Sequence, residues 1–233
     1  PLLFVTLSGS HLYGFPSNDS DFDLRGVHVA PAEQILSLHG LQDETVEFKT
    51  YADGFEDELV THDAGKYFRL LLKNNGYVLE QIFSPIVLYD SGHLSELRDI
   101  ARSCITSNHA LHYKGFGYGE WTKFVNTPTK HVKRILYVFR VFMTGIYLMR
   151  TGQVEANILK LNEHFRLPYI EDLVRQKIAG YEKDELAAGH GMEYYTREYL
   201  KLEEMLKEAS DRSALPKRPA VGEPLLSFVT RLR

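Results

Sequence analysis

Two short stretches near the start of the chain hold the residue types best suited to chemistry. Gly9-Ser10-His11-Leu12-Tyr13-Gly14 is a small-residue turn, and Asp19-Ser20-Asp21-Phe22-Asp23-Leu24-Arg25-Gly26 carries two carboxylates separated by one apolar residue. Successive side chains on a strand point to opposite faces, so Asp21 and Asp23 are expected on one face with Phe22 directed into the core. At roughly 3.3 Å per residue the carboxylates would emerge about 6.6 Å apart. That is near enough to clamp two divalent cations about 3.5–4 Å from each other. Hard oxygen ligands on a short platform suit Mg²⁺ or Mn²⁺, and a nucleoside triphosphate would supply the remaining ligands. Gly9 lets the backbone approach a phosphate closely, and Ser10 offers a hydroxyl and a backbone N–H.

The elements that must position these groups follow from patterning. The apolar run Leu2–Leu7 predicts a strand leading into the turn, and further strands are expected at Phe22–Val29, Thr45–Tyr51 and Glu58–His62. Ile82 to Tyr89, broken by Ser84-Pro85, reads as an edge strand. A helix begins near Asp63, with Phe68, Leu71 and Leu72 as its buried side. From Leu94 onward helical periods dominate, through Leu94–Ser103, His131–Arg150, Val154–Asn162, Ile170–Ile178 and Glu193–Lys207. Thr151-Gly152 stops the long helix and Pro168 reopens the chain. The expected organisation is an α/β (α+β) mixed sheet with flanking helices over residues 1–92, then a helical domain over 93–213. Residues 214–233 are expected to form a linker and a short apolar segment packing back on the body. No internal repeat or low-complexity tract is found.

Plainer readings compete with the chemical one. A run such as Ser17-Asn18-Asp19-Ser20 is most often a solvated turn bonding its own backbone. Asp19, Asp21 and Asp23 imitate the start of a calcium loop, but Leu24 replaces the required glycine and Ala30 the closing glutamate, so that reading fails. Arg25 follows Asp23 by two residues and shares its face, where it either binds phosphate or neutralises the acids. Lys66 and Arg69 lie on the helix after the third acid-bearing segment, exposed unless Lys66 serves a ligand. From Trp121 to Val154 there is no acid, and Lys130, Lys133, Tyr137, Arg140 and Thr144 form one stripe of an amphipathic helix. That stripe is either a solvated face or a basic wall for a triphosphate or an RNA backbone. Gly115-Phe116-Gly117-Tyr118-Gly119 lacks the spacing of a dinucleotide loop and marks an irregular helix or a turn. His109-x-x-His112 shows no third metal ligand. No Ser-His-Asp arrangement stands out.

A Gly-Ser pair, a spacer of about ten residues and an Asp-hydrophobic-Asp strand resembles the signature that opens the catalytic domain of DNA polymerase β superfamily nucleotidyltransferases. The longer context, Ser8-Gly9-Ser10-x-x-Tyr13-Gly14, Ser20-Asp21-x-Asp23 and Arg25-Gly26-Val27, is similar to the RNA-ligase-associated (RlaP-like) branch. The segment Lys66 to Glu80 is similar to that branch too, with Asn75-Gly76 where it typically has Asn-Pro. The resemblance covers residues 1–90 well and the rest loosely. It implies a third carboxylate on a neighbouring strand. Eight acids lie between Asp43 and Asp63, with Lys49 as the one base. The comparison points to Glu58, while Asp57 would take its place on a one-residue shift of register. It also implies nucleotide binding by Gly9, Ser10, Ser20, Arg25 and Lys66, and by Lys130 and Arg134 at a Lys-rich helix start. The implied activity is metal-dependent transfer of a nucleoside monophosphate from an NTP to an acceptor hydroxyl, with two Mg²⁺ or Mn²⁺ ions held by Asp21, Asp23 and Glu58 and pyrophosphate released. The implied acceptor is an RNA 3′ end, untemplated, in RNA repair or tRNA end processing, with an RNA ligase as functional associate. The alternatives are a protein AMP-transferase and a non-catalytic nucleotide- or RNA-binding module.

Composition agrees with a soluble enzyme. The chain has 233 residues, is 44% hydrophobic and carries a net charge of −4, so it can bury a sizeable core but offers no global attraction to nucleic acid. No 18-residue apolar run suggests a membrane span, and Pro1 begins directly with a strand rather than a signal peptide. Cys104 is alone, which excludes an intramolecular disulfide and a multi-cysteine zinc site and fits a reducing cytoplasm.

Overall fold

The computed structural model describes residues 1–233 apart from 42, 53, 54, 182, 183, 188, 189 and 221, and describes only the backbone of 52, 55 and 56. Asp53, one of the eight acids noted above, and the side chain of Glu56 therefore lie outside the described residues. The chain forms two compact units, one of residues 1–9, 21–106 and 218–233 and the other of residues 10–20 and 107–217.

The first unit is built on a five-stranded mixed sheet. In chain order its strands are β1 (Leu2–Leu7), β2 (Asp23–His28), β3 (Thr45–Ala52), β4 (Phe55–Asp63) and β5 (Val87–Asp90), and their spatial order is β3-β4-β2-β1-β5. β1 runs antiparallel to both β2 and β5, β3 runs antiparallel to β4, and β2 runs parallel to β4. Five of the six β1 residues are buried, as a central strand covered on both faces requires. β2 starts one residue later than expected. Phe22 therefore precedes the pleat and is 41% exposed, which corrects its expected place in the core.

Asp63 at the end of β4 caps the next helix. Its carboxylate accepts the Gly65 N–H at 2.8 Å and so opens α3 (Ala64–Leu72), and it also accepts the Ala30 N–H at 3.0 Å. α3 buries Tyr67, Phe68 and Leu71, whereas Leu72 is 40% exposed rather than buried, because the apolar stripe repeats at three and four residues and Leu72 falls off it. Asn75 caps α4 (Gly76–Ile82) through the N–H groups of Tyr77 and Val78. Gly76 thus stands at the first helical position, where the proline of the similar branch would also be tolerated. The short α2 (Ala32–Ile35), α5 (Leu94–Arg102) and α11 (Gly222–Leu232) complete the unit. The C-terminal segment, expected as a short apolar end, is helical and packs against α3 and α5, with Phe228 edge-on to Phe68 at 5.8 Å.

The second unit is helical. α1 (Gly9–Tyr13) leads into it, followed by α6 (His109–Asn126), α7 (Val132–Thr151), α8 (Ile158–Phe165), α9 (Pro168–Ala179) and α10 (Met192–Asp211). The glycine-rich stretch at 115–119 is neither a turn nor irregular; it lies inside the continuous 18-residue α6. A Cβ on Gly117 would meet the Phe142 ring at 2.5 Å, and one on Gly145 of α7 would meet Tyr113 Cβ at 2.7 Å. These two glycines let α6 and α7 approach closely. α7 ends where Gly152 turns left-handed and donates to the Leu148 carbonyl at 2.8 Å. α8 starts at the Asn157 cap rather than at Val154, since the Asn157 side chain takes the N–H groups of Leu159 and Lys160. Tyr199 of α10 stacks on Trp121 at 4.5 Å. Among the described residues no helix is long and apolar enough to cross a membrane.

Candidate functional site

The end of β1 and the start of β2 are joined through the small-residue turn. The Ser8 N–H donates to the Asp23 carbonyl at 2.8 Å, and Gly9 adopts a left-handed φ of +60°. A Cβ at residue 9 would stand 2.0 Å from Oδ2 of Asp23. Glycine is therefore required twice over, for its backbone angle and for the carboxylate that lies against it. Ser10, the next residue, is buried, and its carbonyl accepts the N–H groups of Gly14 and Phe15 at 3.1 Å each.

Strand register sets Glu58 beside Asp23. In the parallel pair, Asp23 is aligned with Glu58, so their side chains share a face, and Asp57 takes the opposite one. The Glu58 N–H anchors this alignment by donating to the Phe22 carbonyl at 3.1 Å. On the shared face Arg25 ties the two acids together: Nη2 lies 3.0 Å from Asp23 Oδ1 and 2.5 Å from Glu58 Oε2. Its Nη1 donates to the carbonyls of Leu24 and Glu58 at 2.9 and 3.3 Å, and its Nε to Tyr77 Oη at 3.0 Å. Tyr77 Oη in turn lies 3.5 Å from Ser8 Oγ at the turn. Lys49, aligned with Glu58 across the β3–β4 pair, holds the other oxygen of Glu58 at 3.0 Å.

The electrostatics follow from these contacts. Burial opposes charge on Arg25, but Tyr77, Asp23 and Glu58 more than offset it and keep the guanidinium firmly protonated. Burial also pushes Glu58 upward, yet Lys49 and Arg25 outweigh it and hold the carboxyl below its ordinary value. Of the two readings of Arg25, phosphate ligand or neutraliser of the acids, the contacts it makes are those of the neutraliser. Asp21 precedes β2 and is exposed to solvent. Lys66 of α3 donates to Thr45 Oγ1, which His62 Nδ1 also meets at 3.0 Å.

Ser20, Lys130 and Arg134 fall in the second unit. Lys130 Nζ donates to the carbonyls of Phe124, Val125 and Thr127 at 2.9, 2.7 and 2.6 Å, closing the C-terminal end of α6. Arg134 pairs with Glu120 of α6 at 3.3 Å. The polar stripe of α7 is not a solvated face, because Arg140 and Thr144 are fully buried and the Arg140 guanidinium lies over the Tyr13 ring at 3.8 Å.

Two members of this cluster, Lys49 and Tyr77, went unassigned in the sequence, as did Lys177 of the second unit. Lys49 carried a signal, as the one base among eight acids. Tyr77 carried none, since its role depends on where α4 begins relative to Arg25. Lys177 is fully buried and follows Tyr169, Ile170, Leu173 and Val174 on the buried face of α9. A lysine in step with an apolar stripe was its signal.

Strand, Gly-Ser turn, acid-bearing second strand and a third acid in register on the neighbouring parallel strand constitute a fold of the polymerase-β-like nucleotidyltransferase class. Residues 1–224 match the RlaP family, described as an RNA repair pathway DNA polymerase beta family, and the chain belongs to it. The chain is 32% identical over 157 residues to an uncharacterized protein of Methanocaldococcus jannaschii, a match covering 66% of this chain and 63% of that one, so it spans less than two thirds of that relative's length. It is 26% identical over 195 residues to the uncharacterized protein YcgL of Bacillus subtilis, covering 78% and 72% of the two chains. Among solved structures, a nucleotidyltransferase-like protein from Exiguobacterium sibiricum matches at a TM-score of 0.33 and 13% identity, over 100% of this chain and 74% of that one.

The donor set at Asp21, Asp23 and Glu58 consists of hard carboxylate oxygens, which fits Mg²⁺ or Mn²⁺ in kind. Both Glu58 oxygens face cationic side chains, and no cluster of three acidic, histidine or cysteine ligands is preassembled among the described residues.

Proposed function

We propose that this chain transfers a nucleoside monophosphate from an NTP to an acceptor hydroxyl, releasing pyrophosphate, and that the acceptor is an RNA 3′ end extended without a template. The observation that supports this most is the packing of Gly9 against the Asp23 carboxylate with Glu58 aligned beside it. That places a close-approach backbone turn and two acids in one spot. The family's description as an RNA repair pathway family supports the RNA acceptor, and a functional association with an RNA ligase belongs to the same proposal.

In this reading the backbone at Gly9 and Ser10 receives the β and γ phosphates, with Ser20 as a further candidate near the nucleotide. Asp21 and Asp23, joined by Glu58, would hold the Mg²⁺ or Mn²⁺ ions, which when bound lower the pKa of an acceptor hydroxyl and stabilise departing pyrophosphate. Arg25 helps keep Glu58 ionised and fixes the orientation of both Asp23 and Glu58. Tyr77 and Lys49 hold Arg25 and Glu58 in turn. The acceptor oxygen bonds to the α phosphorus as the bond to the pyrophosphate oxygen breaks.

The test is to incubate the protein with each α-³²P-labelled NTP, Mg²⁺ or Mn²⁺ and total RNA, beside an Asp21→Ala, Asp23→Ala double variant. Label in RNA that disappears in the variant is the expected result. Label in polypeptide alone would identify a protein AMP-transferase. No metal-dependent label in either would overturn nucleotidyl transfer in favour of a binding module.

A further inference from the structure

The turn that delivers the acid pair is held from a distant helix. Residues 17 to 20 close on themselves: the Ser20 N–H donates to the Ser17 carbonyl at 3.1 Å, and the Ser17 N–H donates to Ser20 Oγ at 3.0 Å. Ser17 Oγ is the hub. It donates to Asp19 Oδ1 at 2.8 Å, and a carboxylate can only accept, so its single hydrogen is committed there. The 3.0 Å contact between the Ser17 and Ser20 hydroxyls must then have Ser20 as donor. The remaining lone pair of Ser17 Oγ accepts from Lys177 Nζ, 160 residues away in the chain, at 2.5 Å. Lys177 and Ser17 are both buried and both belong to the helical unit. His11 Nε2 lies 3.3 Å from the Ser20 carbonyl and steadies the last residue before Asp21.

Burying an amine here is costly, and its surroundings show how much. Burial pushes the Lys177 ammonium down to about 8, with Lys133 of α7 pushing the same way and Asp19 and Asp184 opposing. A buried lysine is retained where its donors are used, and Lys177 donates to the hub of this turn.

We infer that Lys177 is a positioning residue: by donating to Ser17 it fixes the Ser17–Ser20 turn, and the turn, covalently continuous with Asp21, sets where that carboxylate is presented. The inference rests on the nucleotidyl-transfer reading for its catalytic consequence, but the tether itself is independent of it. A solvated turn would bond its own backbone and stop there; this one is tied at its central hydroxyl to a side chain of another element.

The test compares wild type with Lys177→Met, which keeps the length of the side chain and removes the donor, and with Ser17→Ala, which removes the hub from the loop side without touching α9. Site-resolved hydrogen exchange is read at the amides of residues 17 and 20 and at those of α7 in the same samples. The labelled-NTP assay supplies kcat and KM separately. Both variants are expected to speed exchange at 17 and 20 by about tenfold or more while leaving α7 unchanged. They should lower kcat by about tenfold with KM for the NTP nearly unaltered, as loss of placement rather than of binding requires. Unchanged exchange at 17 and 20 would overturn the tether, and faster exchange with kcat intact would overturn the positioning role. Should Lys177→Met loosen α7 as well, Ser17→Ala decides between these outcomes. A wild-type protein that labels no acceptor would sink the functional reading by itself, while the exchange result still decides whether Lys177 holds the turn.

Discussion

A Cβ on residue 9 would stand 2.0 Å from Oδ2 of Asp23, so the turn and the acid strand fit together only because Gly9 has no side chain. Gly9→Ala must hold the left-handed φ, at roughly 1–2 kcal/mol, and also push the carboxylate aside, at about 1–3 kcal/mol. The expected outcome is a destabilisation of about 2–4 kcal/mol and loss of at least about 90% of label transfer. Thermal unfolding and the labelled-NTP assay check the two arms. An alanine variant as stable and active as wild type would show that the contact is not a constraint.

Arg25 donates to both Asp23 and Glu58, and its removal leaves two like charges facing each other. Arg25→Ala is expected to cost about 2–4 kcal/mol, because each acid loses a charge-assisted partner in a half-buried setting. Arg25→Lys should rescue little. One ammonium cannot span Tyr77, two carbonyls and two carboxylates as the planar guanidinium does. Denaturant unfolding of both variants measures this, and a lysine variant matching wild type would reduce Arg25 to a simple counter-charge.

Much of this arrangement was legible from residue types. Alternation and turn chemistry identified β1, β2, β3 and β4 to within a few residues, and the family resemblance pointed to Glu58 rather than Asp57. That choice is the one the parallel register places beside Asp23, although register itself is a tertiary property that no local pattern encodes. Phe22 was misplaced for a related reason: the pleat starts at Asp23, and alternation says nothing about the residue before it. The glycine-rich stretch of α6 was read as an irregular helix or a turn because propensity is local. What holds that helix is its packing on α7, where Gly117 meets Phe142 and Gly145 of α7 meets Tyr113, contacts visible only in three dimensions. Lys177 was passed over because its meaning depends on a loop 160 residues away.

Those α6 glycines make a prediction whose sign depends on position. At Gly115 and Gly119 an added Cβ meets nothing within 4 Å, so Gly→Ala gains helix propensity alone, about 0.5–1 kcal/mol. At Gly117 and Gly145 the Cβ would meet Phe142 at 2.5 Å and Tyr113 Cβ at 2.7 Å, and overpacking of about 1–3 kcal/mol outweighs the same gain. Melting temperatures should therefore rise for Gly115→Ala and Gly119→Ala and fall for Gly117→Ala and Gly145→Ala. Four shifts of one sign would mean that propensity, or fraying of α6, governs instead of the α6–α7 contact.

Lys177 gives the fold a pH dependence of definite sign. Its ammonium is held near 8 in the folded chain and returns to the ordinary lysine value of 10.5 on unfolding, so between these values the unfolded state binds more protons. Stability from this group must then rise with pH across that window. Buried tyrosines act oppositely: burial raises Tyr199 to about 12 and Tyr194 and Tyr195 above their ordinary value, so the stability they add is lost as pH climbs through those higher values. Subtracting Lys177→Met from wild type cancels the tyrosines. The difference in unfolding free energy is expected to grow in favour of wild type by an amount of order 1–3 kcal/mol between pH 8 and 10.5. Urea melts of the two proteins at matched pH values measure it. A difference that stays flat would place the Lys177 amine in contact with water, contrary to its burial against the Ser17 turn.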